Sequence, residues 1–422
     1  LSVEDSRRGE TRYSYTPTGQ LERAEYPDGR EQWRKSDQTG NLYPDPDMRL
    51  RRYLGGGRLE QDGEWHCEYD ADGNLTERYL GTGRWLDGKK DRWRYRWNAD
   101  GSLAKVVRPD KREVEFTYDA LGRRLSKSFG TTVTRWVWNG NVPLHQWKRR
   151  REYSVMGNRW RTDTERCDMT VWLFDEESFV PVAMIKEGRS YSILTDQLGT
   201  PTEAYDAEGN EVWSRVLDMD GNVIEETGNK GMVPFLFQGQ YYDRETGLAY
   251  NRFRYYSPKM GMYVSQDPIG LAGGILNLYG YVDDTLSFID ILGLIKFRRN
   301  MSEREVQSTL ENGGLVRGIN GSRGAKWIST MDNSYRDVNG LEVVLDMNDD
   351  VVNSIIKPRV LDYENMIGGE SKNMDKVLVK SNEPGAMGIG VGILENFNQY
   401  IKSITVYKIV KGKRKQIHYQ QK

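Results

Sequence analysis

The sequence predicts a mainly β protein: a long region of short repeated strands, followed by a smaller α+β domain. Three observations indicate this. The chain has 25 Tyr, 12 Trp and 44 Gly, a composition that suits many half-exposed strands joined by tight turns. Polar and apolar residues alternate in segments such as Trp93–Trp97 and Val114–Tyr118, as in strands with one buried face. Turns rich in Asp and Gly separate such segments up to Leu294, and this texture stops after it.

Composition and cysteine content narrow the possible classes. The 422 residues are 37% hydrophobic and carry a formal net charge of −1, which excludes an overall polycation or polyanion. Cys67 and Cys167 lack metal-ligand or redox spacing, so two free thiols are favoured over a disulfide. No segment approaches the roughly 18 apolar residues of a membrane span. Because the sequence begins with Leu inside a repeat, we expect a fragment or processed product of a longer chain.

Internal repetition organises the first two-thirds of the sequence. In each copy an aromatic or apolar strand end is followed by a polar turn, with Gly usually at the fifth position, and then by a new apolar residue. Gly supplies the positive φ that such hairpin turns require. Copies begin at Tyr15, Tyr69, Trp97, Tyr118, Tyr205 and Leu217, and a longer variant begins at Tyr242.

These elements resemble the YD repeats of Rhs proteins, including the Tyr-Asp pairs that begin at Tyr69, Tyr118 and Tyr205. The segment Thr195–Asp206 also resembles the DHLGTP sequence found late in such shells. The resemblance covers roughly residues 10–294 and implies a continuous β-sheet that closes as a hollow cocoon, of which this chain would hold a fragment. An ordinary β-sandwich or propeller is the alternative.

Residues 295–422 predict a separate α+β domain, so the expected domains are 1–294 and 295–422. A helix is expected over Ser302–Gly313, because Ser302 and Glu305 have capping-box spacing and Gly313 ends the pattern. Short strands are expected at Gly314–Gly318, Lys326–Thr330, Leu341–Leu345, Lys376–Lys380 and Ile404–Val410.

The end of the repeat region, about residues 254–294, carries the most specific motif. The box Asp267-PIGL is followed, after eighteen residues, by Asp290-ILGL. The pair closely resembles the two DPxGL boxes that end Rhs cores, a signature shared with the C components of insecticidal toxin complexes. In that family the boxes form an intramolecular aspartyl protease. The resemblance therefore implies cleavage between Leu294 and Ile295.

The residue types suit that chemistry. Two carboxylates close together in an apolar pocket cannot both ionise and share a proton, so one can activate water while the other protonates the scissile carbonyl. Asp267 and Asp290 are the candidates. Arg254, thirteen residues before Asp267, occupies the position of an Arg that the relatives require and would orient a carboxylate or the carbonyl. Ile291 replaces the usual Pro, and Asp284-Thr285 replaces a common Asn-Pro. The alternative is that the boxes only form tight turns and a plug.

The residue inventory of 295–422 limits the chemistry of the second domain. It contains no Cys, and His418 is its only His. Zinc deaminases, HNH-type nucleases and Cys proteases need ligands or nucleophiles that are absent there. A Ser-His-Asp hydrolase would depend on a His close to the end of the sequence. Chain ends are often poorly ordered, so a rigid triad is not expected there. No metal is expected.

Arg317, the Ser329-Thr330 pair and Glu383 resemble the R–S–E pattern of ADP-ribosyltransferase toxins. The resemblance implies NAD as the substrate, bound by Arg317 and Ser329. Arg317 would grip a phosphate bidentately, and Ser329 and Thr330 would brace the nicotinamide ribose. Glu383 would stabilise the oxocarbenium-like centre. Glu370 is a rival acid.

Two alternatives to the transferase stay open. A metal-independent ribonuclease could use Lys413, Arg414 and Lys415 to bind phosphate and His418 as acid or base, although a solvated basic end is the favoured interpretation of this run. The domain could also be a binding module without enzymatic activity.

The Rhs resemblance also implies a context. It implies a secreted effector of interbacterial competition, delivered into the target cell by a type VI-like apparatus. The expected partners are a cognate immunity protein, the secretion apparatus or a chaperone that contacts an upstream region, and a target macromolecule that is protein or RNA.

Overall fold

A computed structural model describes residues 2–17, 20–81, 88–176, 178–268 and 277–290, and, within 297–421, the backbone of eight strands. The chain divides into two compact units. The first comprises Leu1–Gln266 and Tyr279–Gly293, and the second comprises Asp267–Leu278 and Leu294–Lys422. Strands make up nearly all the regular structure described in both units, which confirms the predicted mainly β class.

Two small antiparallel sheets open the first unit. Leu21, Ala24 and Tyr26 pack with Met219 in one apolar cluster. A register shift between Leu21 and Arg23 of the third strand lets Leu21 and Ala24 both point inward. The first sheet contains β1 (Ser2–Asp5), β2 (Gly9–Tyr15), β3 (Leu21–Glu25) and β4 (Glu31–Trp33), and the second contains β5 (Lys35–Ser36) and β6 (Leu42–Tyr43).

The largest sheet is the wall of the first unit, an antiparallel sheet that follows chain order and has the topology of a closed barrel. A 3-10 turn at Gly55–Gly57 separates its first two strands. The wall contains β7 (Arg51–Leu54), β8 (Arg58–Asp62), β9 (Trp65–Tyr69), β10 (Leu75–Leu80), β11 (Lys90–Trp97), β12 (Leu103–Val107), β13 (Glu113–Tyr118), β14 (Arg124–Phe129), β15 (Thr132–Asn139), β16 (Val142–Ser154), β17 (Arg159–Thr162), β18 (Cys167–Phe174), β19 (Pro181–Lys186), β20 (Arg189–Thr195), β21 (Pro201–Tyr205), β22 (Glu211–Leu217) and β23 (Val223–Gly228).

The Asp and Gly of each repeat close its turn. The carboxylate of Asp70 accepts the main-chain N–H of Asn74 at 2.8 Å, and the carboxylate of Asp119 accepts that of Arg123 at the same distance. Gly73 takes a φ of 78°, which an L side chain rarely adopts. The repeat thus carries Asp to satisfy turn N–H groups and Gly to reverse the chain.

A second layer, the plug (residues 233–263), lies against the inner face of the wall. Its aromatic rings meet those of wall strands far apart in sequence: Trp172 lies 4.7 Å from Phe235, and Trp136 lies 5.3 Å from Tyr241. The main core therefore lies between wall and plug. The plug strands are β24 (Tyr241–Asp243), β25 (Leu248–Asn251), β26 (Arg254–Ser257) and β27 (Met262–Tyr263).

A buried ionic cluster joins the plug to the wall. Arg124 of β14 is 1% exposed, and its guanidinium bonds to the carboxylate of Asp243, which is fully buried. The ammonium of Lys127 lies 2.9 Å from the same carboxylate. The guanidinium also lies over the rings of Trp136 and Tyr250, at 4.5 and 4.7 Å. Pairing on this scale is what a charge needs to be tolerated in a core.

The described strands of the second unit form one sheet in the order β31-β32-β33-β29-β28-β30-β34-β35, in which only β31 and β32 are parallel. Strands confirm the predictions near 326–330, 341–345, 376–380 and 404–410. The predicted helix Ser302–Gly313 and strand Gly314–Gly318 lie outside the described residues. The strands are β28 (Phe297–Met301), β29 (Lys326–Ser329), β30 (Leu341–Met347), β31 (Val360–Asp362), β32 (Val377–Val379), β33 (Ala386–Ile389), β34 (Ile401–Val410) and β35 (Lys413–Gln421).

Three further properties bear on function. The backbone of the basic run from Lys413 is paired with β34. Cys67 is buried, Cys167 is exposed, and both are free thiols. Among the described residues, no helix has the length and apolar character needed to cross a membrane.

Candidate functional site

The ends of three plug strands and the segment before the second box meet in the first unit. Asn251 ends β25 and is the register partner of Arg254, which begins β26. The turn between them places Arg252 at a φ of 56°, a conformation that costs a non-glycine residue about 1 kcal/mol or more. This tight turn sets Asn251 and Arg254 side by side. Tyr263 ends β27, and Asp290 lies against all three ends.

The Asp290 carboxylate is held by a buried cation and a hydroxyl. The Nη2 of Arg254 lies 3.2 Å from Oδ2 of Asp290, and each side chain is 2% exposed. The hydroxyl of Tyr263 donates to the same oxygen at 2.8 Å. Charge-assisted hydrogen bonds gain strength where water is excluded. Both donors favour the ionised form of this carboxylate.

Asn251 fixes the main chain at the same point. Its amide Nδ2 donates to the carbonyl of Asp290 at 2.8 Å and lies 2.7 Å from the Tyr263 hydroxyl oxygen. The main-chain N–H of Asp290 points to the hydroxyl of Tyr281 at 3.4 Å. The side chain and both main-chain polar groups of Asp290 are therefore positioned by the plug and its neighbours.

Aromatic rings make the surroundings of this cluster apolar. The Arg254 guanidinium stacks over the ring of Tyr263 at 3.6 Å, and the ring of Tyr281 lies 5.8 Å from that of Tyr263. Burial and then the negative charge of Asp290 raise the pKa of Tyr263 well above its usual value. Burial likewise raises the pKa of Tyr281. Both phenols therefore stay protonated and remain available as donors near neutral pH.

The other predicted autoprotease residues lie as follows. Asp267 belongs to the second unit, is 8% exposed, and donates its main-chain N–H to the carbonyl of Leu278 at 2.8 Å. Leu294 and Ile295 lie outside the described residues. Asp284 and Thr285, which depart from the family pattern, are buried.

Asp284 and Thr285 serve a turn. The carboxylate of Asp284 accepts the N–H of Leu286 at 2.9 Å, and the hydroxyl of Thr285 donates to the carbonyl of Met219 at 2.7 Å. Their hydrogen bonds shape the chain that leads to Asp290.

Of the residues predicted for the transferase, only Ser329 lies on a described strand. It ends β29 and is the register partner of Arg298 on β28 and of Ala386 on β33. Arg317, Thr330, Glu370 and Glu383 lie outside the described residues.

Comparison with known proteins identifies the family of the repeat region. The family model of the Teneurin YD-shell matches residues 1–272. The chain belongs to the Teneurin YD-shell family. This agrees with the repeated Tyr-Asp turns of the sequence.

Two relatives of this YD shell are named as toxins. It is 32% identical over 319 residues to "Double-stranded DNA deaminase toxin A" of Burkholderia cenocepacia, a match that covers 70% of this chain and 21% of the relative. It is 34% identical over 268 residues to "Toxin protein Tse5" of Pseudomonas aeruginosa, covering 57% of this chain and 19% of the relative. The chain thus spans about a fifth of the length of these relatives.

A solved structure with a similar region is the crystal structure of TcdB2-TccC3-TEV. The similarity covers 68% of this chain and 17% of that one, with 16% sequence identity and a TM-score of 0.42.

Sequence reasoning identified two members of the Asp290 cluster of this YD shell, Arg254 and Asp290, and missed Asn251 and Tyr263. Tyr263 is one of 25 tyrosines, and nothing in its local pattern separates it from the others. The one available signal is position: Asn251 and Arg254 flank a two-residue turn, so their side chains can share a neighbour. That neighbour is Asp290.

Proposed function

We propose that this YD-shell chain is the C-terminal part of a bacterial Rhs-type effector that cleaves itself between Leu294 and Ile295 and so frees residues 295–422 as a toxin. The observation that carries the proposal is the buried Asp290 carboxylate, bound by Arg254 and Tyr263, four residues before that bond. The toxin names of the relatives support the effector assignment.

The proposed hydrolysis uses two carboxyl groups. Asp290, kept ionised by its donors, takes a proton from water as the water oxygen attacks the Leu294 carbonyl carbon. Asp267, the partner indicated by the box spacing, donates a proton to the carbonyl oxygen. When the C–N bond breaks, the amine of Ile295 takes up a proton and Leu294 keeps the new carboxyl group. Water supplies every atom added.

Three residues position the base. The fork of Arg254 sets the direction of the Asp290 carboxylate. The hydroxyl of Tyr263 pins the same oxygen, and Asn251 fixes the Asp290 carbonyl. Together these contacts keep the carboxylate oriented.

The size of the purified chain under denaturing conditions tests self-cleavage. The expected products contain 294 and 128 residues. Asp290→Asn and Asp267→Asn should each leave one intact band, since an amide cannot exchange the proton. Asp284→Asn is the matched control, a buried Asp in the same segment whose carboxylate closes a turn, and it should still cleave. Cleavage in both Asp267→Asn and Asp290→Asn would overturn the mechanism.

The freed toxin is proposed to be an ADP-ribosyltransferase that uses NAD as its substrate. The residues proposed to act are Arg317 on a phosphate, Ser329 and Thr330 at the nicotinamide ribose, and Glu383 at the developing cation. The pairing of Ser329 with Ala386 supports this, because it places the strand that follows Glu383 beside the Ser329 strand.

Transfer of label from NAD to proteins of a bacterial lysate tests the transferase. Arg317→Lys should lose most transfer, because an ammonium cannot reproduce the bidentate fork. Glu383→Gln should abolish transfer but keep NAD binding, because its charge acts on the transition state. Glu370→Gln is the control for the rival acid. Full transfer by both Arg317→Lys and Glu383→Gln would exclude the assignment.

One observation favours a second candidate, the metal-independent ribonuclease. Lys413, Arg414, Lys415 and His418 all belong to strand β35, whose backbone pairs with β34. This candidate predicts RNA fragments without NAD, loss of activity in His418→Ala, and tolerance of Glu383→Gln.

The delivery context remains part of the proposal. A type VI-like apparatus would carry the effector into the target cell, with a secretion component or chaperone contacting regions beyond this chain. A cognate immunity protein would protect the producer by binding residues 295–422.

A further inference from the structure

One hairpin of the wall extends away from the sheet. Strand β16 pairs with β18 as far as Lys148 and with β15 as far as Arg150. Its last four residues, from Arg151 to Ser154, pair only with the short β17 among the described strands. All four residues of β17 are exposed. We call residues 148–162 the basic hairpin.

The tip of the basic hairpin is apolar and exposed to solvent. Val155 is 83% exposed and Met156 is fully exposed, although these residue types are among those most often buried. The four tip residues, Ser154 to Gly157, carry no charge. An uncharged apolar tip on a protruding hairpin has an unfavourable contact with water that a partner could relieve.

The stem of the basic hairpin is strongly cationic. Between 148 and 162 there are six basic residues against one acidic residue, Glu152, in a chain whose net charge is −1. Lys148 is paired with Asp168 and Arg151 with Glu115, both outside this range. The local excess therefore rests on the other four arginines, and it favours an anionic partner. The basic residues are Lys148, Arg149, Arg150, Arg151, Arg159 and Arg161.

Strand register separates the stem into two faces. Tyr153 is the partner of Trp160, so both project to one face, where their rings lie 5.4 Å apart. They are 48% and 44% exposed. Arg159 and Arg161 occupy the other face, since side chains alternate along a strand. Arg151 lies on the aromatic face, where its guanidinium is 4.4 Å from the centre of the Trp160 ring. The hairpin thus combines an apolar tip, an exposed aromatic pair and arginines on both faces.

We propose that the basic hairpin docks on an anionic phospholipid surface. Val155 and Met156 enter the boundary between headgroups and acyl chains, where Trp160 and Tyr153 are also favoured. The arginines bind lipid phosphates, and their stems lie along the apolar zone. A nucleic acid fits less well, because its charged backbone offers no apolar layer in which Val155 and Met156 could be buried.

Sedimentation with vesicles tests the proposal on the full chain. Vesicles of phosphatidylcholine mixed with phosphatidylglycerol should sediment the protein, and phosphatidylcholine alone should not. Added salt should weaken binding. Val155→Asp with Met156→Asp should weaken it by about tenfold or more. Arg159→Glu with Arg161→Glu should do the same through charge.

The matched control reverses two exposed arginines elsewhere on the wall. Arg94→Glu with Arg96→Glu changes the net charge equally, on exposed positions of β11, and should leave binding unchanged. Loss of binding in this control equal to that in Arg159→Glu/Arg161→Glu would overturn the proposal, because it would reveal attraction by overall charge. Equal binding to neutral vesicles, or capture by single-stranded DNA in place of vesicles, would also overturn it.

A fluorescent label tests whether the tip enters the bilayer boundary. In a Cys167→Ser background, an environment-sensitive dye on Met156→Cys should shift to shorter wavelength with anionic vesicles. The same dye on Val137→Cys, an exposed wall position, should not shift. No shift at Met156→Cys would contradict insertion. The assay works equally in the Asp290→Asn chain, so its outcome is independent of self-cleavage.

Discussion

The first unit contains two buried Arg–Asp pairs in different surroundings. Arg124 and Asp243 join wall to plug, and Lys127 adds a second cation to the same carboxylate. Arg254 and Asp290 meet at the strand ends of the plug, where the hydroxyl of a tyrosine binds the carboxylate as well. A carboxylate locked by two cations cannot take up a proton without leaving charges unpaired.

Comparison of Asp243 with Asp290 indicates which roles a buried carboxylate can have. At Asp243 the contacts span wall and plug, so their effect is on the folding of the unit. At Asp290 the contacts orient one carboxylate oxygen, and we propose that this orientation serves self-cleavage. Burial and an arginine partner are common to both pairs, and the remaining donors differ.

The largest expected effect is on stability at the anchor. Asp243→Asn should lower the free energy of unfolding by about 3–5 kcal/mol, because Arg124 and Lys127 stay buried without their counter-charge. Denaturant titration measures it. Glu245→Gln is the control, since its partly exposed bond to Lys127 should contribute less than about 1 kcal/mol. Equal small effects would mean that Asp243 is not the anchor.

At the Arg254–Asp290 pair, the expected effect is on the rate of self-cleavage. Arg254→Lys should slow self-cleavage by about a hundredfold, because an ammonium loses both the planar fork and the stacking on Tyr263. A time course of band intensities after refolding gives the rate constant. Arg252→Lys, on the same turn, should cleave at the normal rate. A normal rate in Arg254→Lys would remove the orienting role.

Removal of the Tyr263 hydroxyl is expected to have a smaller effect on the rate of self-cleavage. Tyr263→Phe removes one hydrogen bond to a charged group and keeps the ring, so cleavage should slow by about tenfold with little change in unfolding. Tyr256→Phe is the matched control in the same aromatic cluster, and its hydroxyl bonds to the carbonyl of Asp220 at 2.9 Å. If both variants slow cleavage equally, packing and not the Asp290 contact is responsible.

The smallest expected effect is on the pH dependence of stability, and it comes from Asp218, which feels the negative charge of Asp220. Burial, and then the charge of Asp220, raise the pKa of Asp218 to about 6. The folded state therefore binds this proton more tightly than the unfolded state, and stability falls as pH rises from about 4 to about 6. Asp218→Asn should flatten that fall and stabilise the fold near neutral pH by on the order of 1 kcal/mol.

Asp206→Asn is the control for that pH dependence, because it occupies the same repeat position. Hydrogen bonds from Asn210, the main-chain N–H first, lower the pKa of Asp206. Its contribution is present near neutral pH and is lost as pH falls through its folded pKa, the opposite direction to Asp218. Unfolding curves at several pH values measure both. The same slope in both variants would show that burial is not the cause.

Local chemistry explains what could be predicted from the sequence. The carboxylate of Asp119 bonds to an N–H four residues away, and Gly122 takes its positive φ within the same turn, so a short window contains the whole interaction. The strands predicted in the second unit were those with long apolar or alternating runs. Short strands such as Val360–Asp362 and Ala386–Ile389 exist only because a neighbour supplies hydrogen-bond partners, and no local pattern indicates them.

By itself the sequence determined the repeat turns, the wall they build, and Arg254 and Asp290 as candidates through their box spacing. Only the tertiary structure decided that Tyr263 and Asn251 join Asp290, and that Arg124 meets Asp243 across 119 positions of chain. The physical reason is the distance along the sequence that separates the interacting groups. Turn hydrogen bonds close within a few residues, whereas a buried carboxylate takes whichever donors the packing of distant strands brings to it.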